Sequence, residues 1–421
     1  MLSVISKNRR RRLYSQNTSF CCYRFFISIL WVLPLSYAQC VPALELGIGD
    51  WQAHGFVSQG YTLTSEYNAY GHSTGNGSLD FTEIGVNVLG HLQPNLLIAA
   101  QGLYRNGGGS DREDFRLDFA NLDYHFSLGK QATAGIRLGR VKNPFGLYND
   151  TRDVVWTRPG VFIPQSVYFD SLALRQAMIS SDGGILYNRF AVGDHALKTE
   201  FVVSEPLDDT GGAAEFLTGI PNARGKLGGR PLFIGRMGYE WQEGRFRLLF
   251  SVVNLDRDFK SATPGVSSGN LKVLYPLASA QVNLEDWSFT GEYGRITAER
   301  SGFTPGGVTL ENTSESFYVQ AQYRFTQDWS ALLRYDSFTA NVNDRSGNHL
   351  AAMTGLPKHR FYARDLTAGL RWEVVRNWMI AGEYHSVWGT GLVSPVDNPD
   401  LNQRNGPERW DMFSIMLSYR F

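Results

Sequence analysis

Cysteine is scarce: three in 421 residues, at positions 21, 22 and 40. A disulfide-stapled secreted domain carries many more. Neither sign of charge is in excess, since 40 Lys+Arg face 40 Asp+Glu. That excludes the basic surplus of a nucleic-acid binder. Charged residues make up only 19% of the chain and aromatics 13%, the reverse of a disordered composition. No apolar run of about 20 residues recurs along the chain, which excludes a helical transporter. What is plentiful is glycine, with 44 residues spread through a chain of mixed polarity.

The single notable apolar run lies near the start. Lys7 and Arg9 to Arg12 form a basic cluster, and Phe25 to Leu35 is apolar. Small residues, Ser36 and Ala38, then stand at the spacing a signal peptidase reads. The expectation is a secretory signal over 1–38, with an alternative cut after Ala43, and a mature chain over 39–421. A membrane anchor is the competing reading, but the apolar core is short for a span. The signal carries Lys7, Arg9, Arg10, Arg11, Arg12 and Arg24 and no acid. Of the 40 basic residues, 34 then remain against 40 acids, so the mature chain is acidic by six charges. At most Cys40 survives cleavage, so an exported chain of this size must be stabilised without an internal disulfide.

The rest of the chain alternates with period two. At the C-terminus Phe413, Ile415, Leu417, Tyr419 and Phe421 alternate with Met412, Ser414, Met416, Ser418 and Arg420. Ile84, Val86 and Val88 alternate with Glu83, Gly85 and Asn87. Phe115, Leu117 and Phe119 alternate with Arg116 and Asp118. Each pattern is a strand with one face in an apolar medium. Sixteen such segments are predicted, near 51–64, 80–92, 96–106, 113–127, 131–142, 174–190, 195–205, 230–243, 245–256, 270–284, 286–299, 313–326, 328–340, 361–374, 377–390 and 409–421. Most reach the length of about 9–11 residues that a tilted transmembrane strand needs.

The connections alternate too. Gln93-Pro94-Asn95, Gly129-Lys130, Gly193-Asp194, Gly244, Glu285, Gln327 and Asn377 mark tight joins. Between them lie long joins, the longest over about 143–173. An outer-membrane barrel sorts its loops this way, with short periplasmic turns and longer outer loops. Trp241, Trp287, Trp329, Trp372 and Trp378 all stand beside the short turns on the apolar face of their strands, as an interfacial girdle requires. The fold class predicted is all-β: a transmembrane antiparallel β-barrel of sixteen strands. Closure pairs every backbone group in the hydrocarbon and supplies the stability that disulfides do not.

The ending Tyr419-Arg420-Phe421 resembles the C-terminal signature by which Gram-negative outer-membrane barrels are recognised for insertion. The stretch Gly139-Arg140-Val141-Lys142-Asn143-Pro144-Phe145-Gly146-Leu147 is similar to the strand-to-loop passage of the phosphate-selective porin O/P superfamily. The resemblance implies a water-filled channel in the outer membrane, a homotrimer, and a third outer loop folded into the lumen. It further implies as partners the lipid bilayer and lipopolysaccharide, the barrel insertion machinery, and small hydrophilic or anionic solutes. Those porins line their channel with many basic residues. This chain departs from them in being acidic overall, so the fold carries over better than the selectivity.

The third loop is too apolar to lie free in water: Phe145, Val154, Val155, Trp156, Val161, Phe162, Ile163, Val167, Tyr168 and Phe169 need cover. Pro144, Pro159 and Pro164 limit its freedom. Its charges are opposed: Lys142, Arg152, Arg158 and Arg175 against Asp150, Asp153 and Asp170. Two readings stand side by side. Either these charges filter solutes in the narrowest part of a pore, or they pair and pin the loop. A charge facing lipid at mid-depth costs a few kcal/mol, so strand charges must point inward. That places Arg105, Arg116, Asp118, Arg137, Arg236, Glu240, Arg247, Arg324, Arg334 and Arg371 on the lumen wall, with Glu83, Glu292, Asp336, Asp365, Glu373 and Glu383 facing them. Guanidinium groups suit carboxylate or phosphate, so an anion path through some of them is one outcome.

The eight histidines have no ligand spacing, and Asp397 and Asp400 read as a solvated acidic loop rather than a Ca²⁺ site. No metal, cofactor, catalytic residue or nucleic-acid partner is predicted. The leading expectation is a porin passing small hydrophilic solutes by passive diffusion, with a leaning to anions. Two alternatives remain: a lipase-type barrel enzyme with a Ser/His pair at the lipid face, and a closed receptor or adhesin barrel.

Overall fold

A computed structural model describes residues 44–45 and 50–421, except 110, 112–113, 171–174, 208–213, 215–216, 219, 221–222, 304–308 and 403–404. The signal segment 1–38, Cys40 and the alternative cut at Ala43 lie outside the described residues. Sixteen antiparallel strands form one closed sheet. They are β1 Gln52–Thr64, β2 Thr82–Gln93, β3 Leu96–Asn106, β4 Asp114–Leu128, β5 Ala132–Lys142 and β6 Ser180–Val192. Next come β7 His195–Pro206, β8 Leu232–Trp241, β9 Phe246–Ser261, β10 Gly269–Asn283 and β11 Trp287–Ser301. The series ends with β12 Leu310–Arg324, β13 Trp329–Thr339, β14 Tyr362–Val375, β15 Trp378–Trp388 and β16 Arg409–Arg420. Each strand pairs with its sequence neighbour, and β16 closes on β1 from Met412↔Thr64 to Arg420↔Phe56. Two short extra strands decorate this ring. Leu44–Glu45 pairs with the start of β1, and Gly225–Gly229 pairs with the end of β9.

The alternation read from the sequence is the inside–outside alternation of the wall. Val319 (57%), Leu248 (56%) and Leu333 (55%) are exposed on the outside, while their neighbours Gln320 and Arg334 are buried inside. So much exposed apolar surface in a band is stable only against lipid. The five tryptophans stand at the short-turn ends of their strands. Trp329 stacks on Trp372 at 5.0 Å, and Trp378 packs on Tyr419 at 4.7 Å. The last residue locks the seam. Gly55 and Phe421 exchange two backbone hydrogen bonds of 2.9 Å, and the Phe421 ring lies over Gly55, where a Cβ would fall 2.3 Å from it. A side chain at position 55 would have to push that ring aside.

Two strand predictions are corrected. The segment predicted over 174–190 opens as a helical turn, Arg175–Ile179, and extended backbone starts at Ser180. Phe119, predicted on the lipid face, points into the lumen. A register shift opposite Gln101/Gly102 inserts one residue into β4 and flips the parity beyond it. Phe119 therefore lines a lumen cavity with Asn121, Asp123 and Arg137.

Candidate pore and constriction

The third loop leaves β5 at Lys142 and rejoins the wall at Ser180. Its stem is tied at both ends. Asn143 Nδ2 donates to the Met178 carbonyl at 3.1 Å, and Asn149 Nδ2 donates to the carbonyls of Asn143 and Met178 at 2.9 and 2.8 Å. Within it lie a 3₁₀ turn, Val155–Thr157, and a single helical turn, Gln165–Tyr168, ended by Phe169 at φ 47°. The apolar residues that could not lie in water are buried in the lumen on two walls. Phe145, Tyr148, Ile163, Val167, Tyr168 and Phe169 pack on Tyr275 and Leu277 of β10 and Tyr318 of β12. Val155, Val161 and Phe162 pack with Phe56, Phe81, Met379 and Ala381 on the opposite side. The Phe162 ring also stacks on Tyr70 of the first outer loop at 4.2 Å.

Hydrogen bonds from backbone and side chains join the loop to several strands of the wall. The Phe162 amide donates to Glu383 Oε2 at 3.2 Å, and Arg334 Nη1 donates to the Phe162 carbonyl at 3.1 Å. Tyr168 Oη donates to Glu292 Oε2 at 2.5 Å. Arg236 Nη1 reaches the Gly146 carbonyl at 3.2 Å, and Arg371 Nη1 reaches the Trp156 carbonyl at 3.2 Å. Each such bond is worth about 1 kcal/mol net, and leaving a buried partner unpaired costs more. Gly160 abuts Glu383, where a Cβ would lie 1.9 Å from Oε1. Glu383 also bonds His385 Nε2 at 3.2 Å, and the other ring nitrogen faces Asp365 Oδ2 at 2.7 Å.

The near wall holds the loop by charge. Arg158 grips Glu83 of β2 bidentately, at 2.7 and 2.8 Å. Arg105 bonds the same carboxylate at 2.9 Å and Asp170 of the loop at 2.8 Å. Asp170 is also held by Arg175 at 2.7 Å. Arg175 and Lys142 share Asp153, and Lys142 further bonds Asp118 at 2.5 Å. Arg105 and Arg116 both pair with Asp111. Burial opposes ionisation of Asp170 and Asp153, but the surrounding cations outweigh it. Arg105, Arg175 and Arg152 hold the Asp170 carboxyl below the usual range, and Arg175, Lys142 and Arg152 do so for Asp153. Burial pulls the Arg152 guanidinium down to about 10, so it remains a cation at neutral pH. Arg152 donates to the carbonyls of Tyr168 and Arg175 at 3.0 and 3.3 Å.

The loop charges therefore divide. Lys142, Arg152, Asp153, Arg158, Asp170 and Arg175 lie together in one buried network with Arg105, Arg116 and Asp118. Asp150 stands apart, facing a cavity of about 610 Å³ on the short-turn side of the loop. Arg236 bonds it at 2.9 Å and also bonds Glu200 at 2.6 Å. Lys198, Arg247, Glu240 and Arg371 line the same space, with Arg247 on Glu240 at 3.1 Å and Arg371 on Glu373 at 2.7 Å. Asp150 and Glu200 also border a second cavity of about 280 Å³, which reaches Arg137, itself paired with Asp123 at 2.7 Å. Arg324 sits apart at the short-turn rim, donating to the Glu285 carbonyl at 2.8 Å. Asp397 accepts the Gly109 amide at 2.6 Å and so joins the last outer loop to the second.

Sequence reasoning did not single out Asp111, Asp123, Lys198 or Glu200. Strand parity was enough to find Glu200, because its neighbour Phe201 is exposed to lipid. Nothing local marks Asp111, whose role depends on where its loop folds.

No family model matches the chain, and no curated protein sequence matches it. Solved structures do match its fold. The outer-membrane channel DcaP of Acinetobacter baumannii aligns over 88% of this chain and 97% of its own, with a TM-score of 0.58 and 10% identity. OmpF of Salmonella typhi, solved with daunomycin, covers the same shares at a TM-score of 0.55 and 13% identity. The anion-selective porin from Comamonas acidovorans aligns over 88% and 99%, with a TM-score of 0.51 and 10% identity. With its closed ring of sixteen strands, apolar outer band and charged interior, the chain has the fold of the outer-membrane porins, and its lipid-facing surface belongs in that membrane.

Proposed function

We propose that the chain is a porin of the Gram-negative outer membrane, a water-filled channel for passive diffusion of small hydrophilic solutes. The observation that carries this reading is the polar cavity of about 610 Å³ inside a barrel that is apolar outside, bounded on one side by an in-folded loop. Sixteen strands enclose a lumen wide enough for water once side chains and one loop are accommodated. The buried ion network supports the pinning reading of the loop charges. Selectivity then falls to the groups that line the cavity. Arg158, Lys198, Arg236, Arg247 and Arg371 meet it against Asp150, Glu200 and Glu240. The partners of Arg158 and Arg371, Glu83 and Glu373, do not line that cavity. The leaning is therefore to anions, modest because most of these cations are paired, and weaker as salt rises. Kinship with the phosphate-selective O/P superfamily and assembly as a homotrimer belong to the same proposal, while the acidic balance of residues 39–421 argues against phosphate selectivity itself.

A second reading has its own support. The loop is bonded to opposite walls, and the outer loops that include Gly109 and Asp397 are tied to each other. A closed receptor or adhesin barrel would be built that way. Single-channel current across a planar bilayer, with reversal potential in a salt gradient, separates the two. Steady conductance with a small anion-directed reversal potential is the expected result. A barrel that inserts but carries no current would overturn the porin reading in favour of the closed one.

A further inference from the structure

On the long-loop side of the third loop, a further cleft lies between the first, third and last outer loops. Its volume is about 60 Å³, room for roughly four water-sized groups. Ala69, Val387, Leu392, Val393, Trp410 and Met412 give it apolar and aromatic walls. Asp336, Asp365 and Asp397 also line it, and among the described residues no Lys, Arg or His does. The central cavity differs, being lined by charges of both signs.

The strand register shows why this place calls for a positive charge. Asp336 of β13 stands directly opposite Asp365 of β14. Side chains so placed have their Cβ atoms about 5 Å apart, and like charges there repel, the more so when buried. One row nearer the short turns, Arg334, Thr367 and His385 stand side by side. His385 is shared between Asp365 and Glu383. Arg334 donates to the Phe162 carbonyl. Three carboxylates on these strands thus share two cations. Asp336 is the one left over: it accepts the Ser166 amide at 3.3 Å and makes no ion pair among the described residues. One row further out come Phe338 and Ala363, both apolar, so the acid row has cations on its inner side and the cleft on its outer side. Tyr70, 4% exposed, borders the same cleft, and its hydroxyl has no hydrogen-bond partner among the described residues.

We propose that this cleft binds a primary ammonium on a short apolar chain, its head at Asp336 and Asp365 and its carbons against Trp410, Val387 and Val393. An ammonium brings three donors and no acceptor, which suits carboxylates and a phenol oxygen. Aromatic walls favour it over a neutral head of the same size. The small volume limits the chain to a few carbons. The site lies across the loop from the central cavity, so it depends neither on conduction nor on the groups that line that cavity.

The test titrates the full barrel in detergent with n-butylammonium at neutral pH, binding being read by saturation transfer to the ligand in NMR. Parallel arms use n-butanol and butyrate, which keep the chain and change the head. The expected result is binding in the millimolar range for the ammonium, about tenfold weaker for the alcohol and weaker still for the acid. Asp336→Asn keeps an acceptor for the Ser166 amide and should weaken the ammonium by about tenfold. Tyr70→Phe removes a hydroxyl that holds nothing in place and should weaken it by about threefold. Both variants should keep the heat-shifted gel mobility of an intact barrel. Equal binding of butanol would overturn the site in favour of two carboxyls sharing a proton. Displacement by equimolar potassium would overturn the amine in favour of a bare cation. Unchanged affinity in both folded variants would overturn the location. Bilayer current reports on the channel separately, so the failure of one reading does not carry the other with it.

Discussion

Arg158→Ala tests whether charge pins the third loop. Its guanidinium makes two short bonds to Glu83, with side-chain exposures of 5% and 1%. Removing one member of a buried pair costs about 3–5 kcal/mol. Glu83 keeps Arg105, so the low end applies: about 3 kcal/mol, roughly a hundredfold in an equilibrium. The barrel ladder does not depend on this pair, so the loss appears as local opening of the loop. Hydrogen exchange of peptides over 155–163 in detergent should therefore accelerate by roughly a hundredfold, with β1 to β4 unchanged. A cycle with Glu83→Gln sharpens the test, because two members of one network must couple. The double variant should lose far less than the sum of the single losses. Additive effects, within about 0.5 kcal/mol, would show that the ion pair does not hold the loop.

Other consequences follow from the same geometry. Asp150→Asn should move the reversal potential towards anions, because Asp150 faces the cavity, while Arg152→Met should leave it unchanged, because Arg152 bonds loop carbonyls behind it; equal shifts in both would refute the division. Asp170 and Asp153 are held below the usual carboxylate range, so their contribution is fully present above about pH 4, where a free carboxylate is ionised, and is lost as pH falls through their lower folded-state values. Exchange of the 150–153 and 168–170 segments should stay constant from pH 8 to about pH 4, after correction for intrinsic rates, and loosening between pH 5 and 7 would contradict this. Phe162→Ala removes a ring stacked on Tyr70 and packed near Phe81, at a cost of about 3–5 kcal/mol, and should broaden single-channel current into sublevels. Gly160→Ala should do the same by forcing its methyl into Glu383, whereas a quiet, wild-type trace would show that the contact is not made.

Some features were legible because a strand in a membrane obeys a local rule. Lipid on one face and water or protein on the other impose period two on each segment, and that signal needs no knowledge of the partners. The sixteen strands, the loop asymmetry and the tryptophans beside the short turns were all readable for this reason. So was the need of the third loop for cover, since Phe145, Phe162 and Phe169 are apolar wherever they go. The rule failed at Phe119, where one inserted residue in β4 reversed the parity, and at 175–179, where a helical turn carries the loop back to the wall.

Pairing obeyed no local rule. Glu83 and Arg158 are 75 residues apart, and Arg236 meets Asp150 across 86. Whether a loop arginine faces water or a carboxylate depends on where the closed barrel puts the opposite wall, and burial energies act only once it is there. The sequence by itself determined a barrel, the sorting of its short turns to one end and long loops to the other, and a loop that had to fold inward. The tertiary structure alone decided that Arg152, Asp153, Arg158, Asp170 and Arg175 hold that loop, and that Asp150, Glu200 and Arg236 line the central cavity, where Arg158 also reaches.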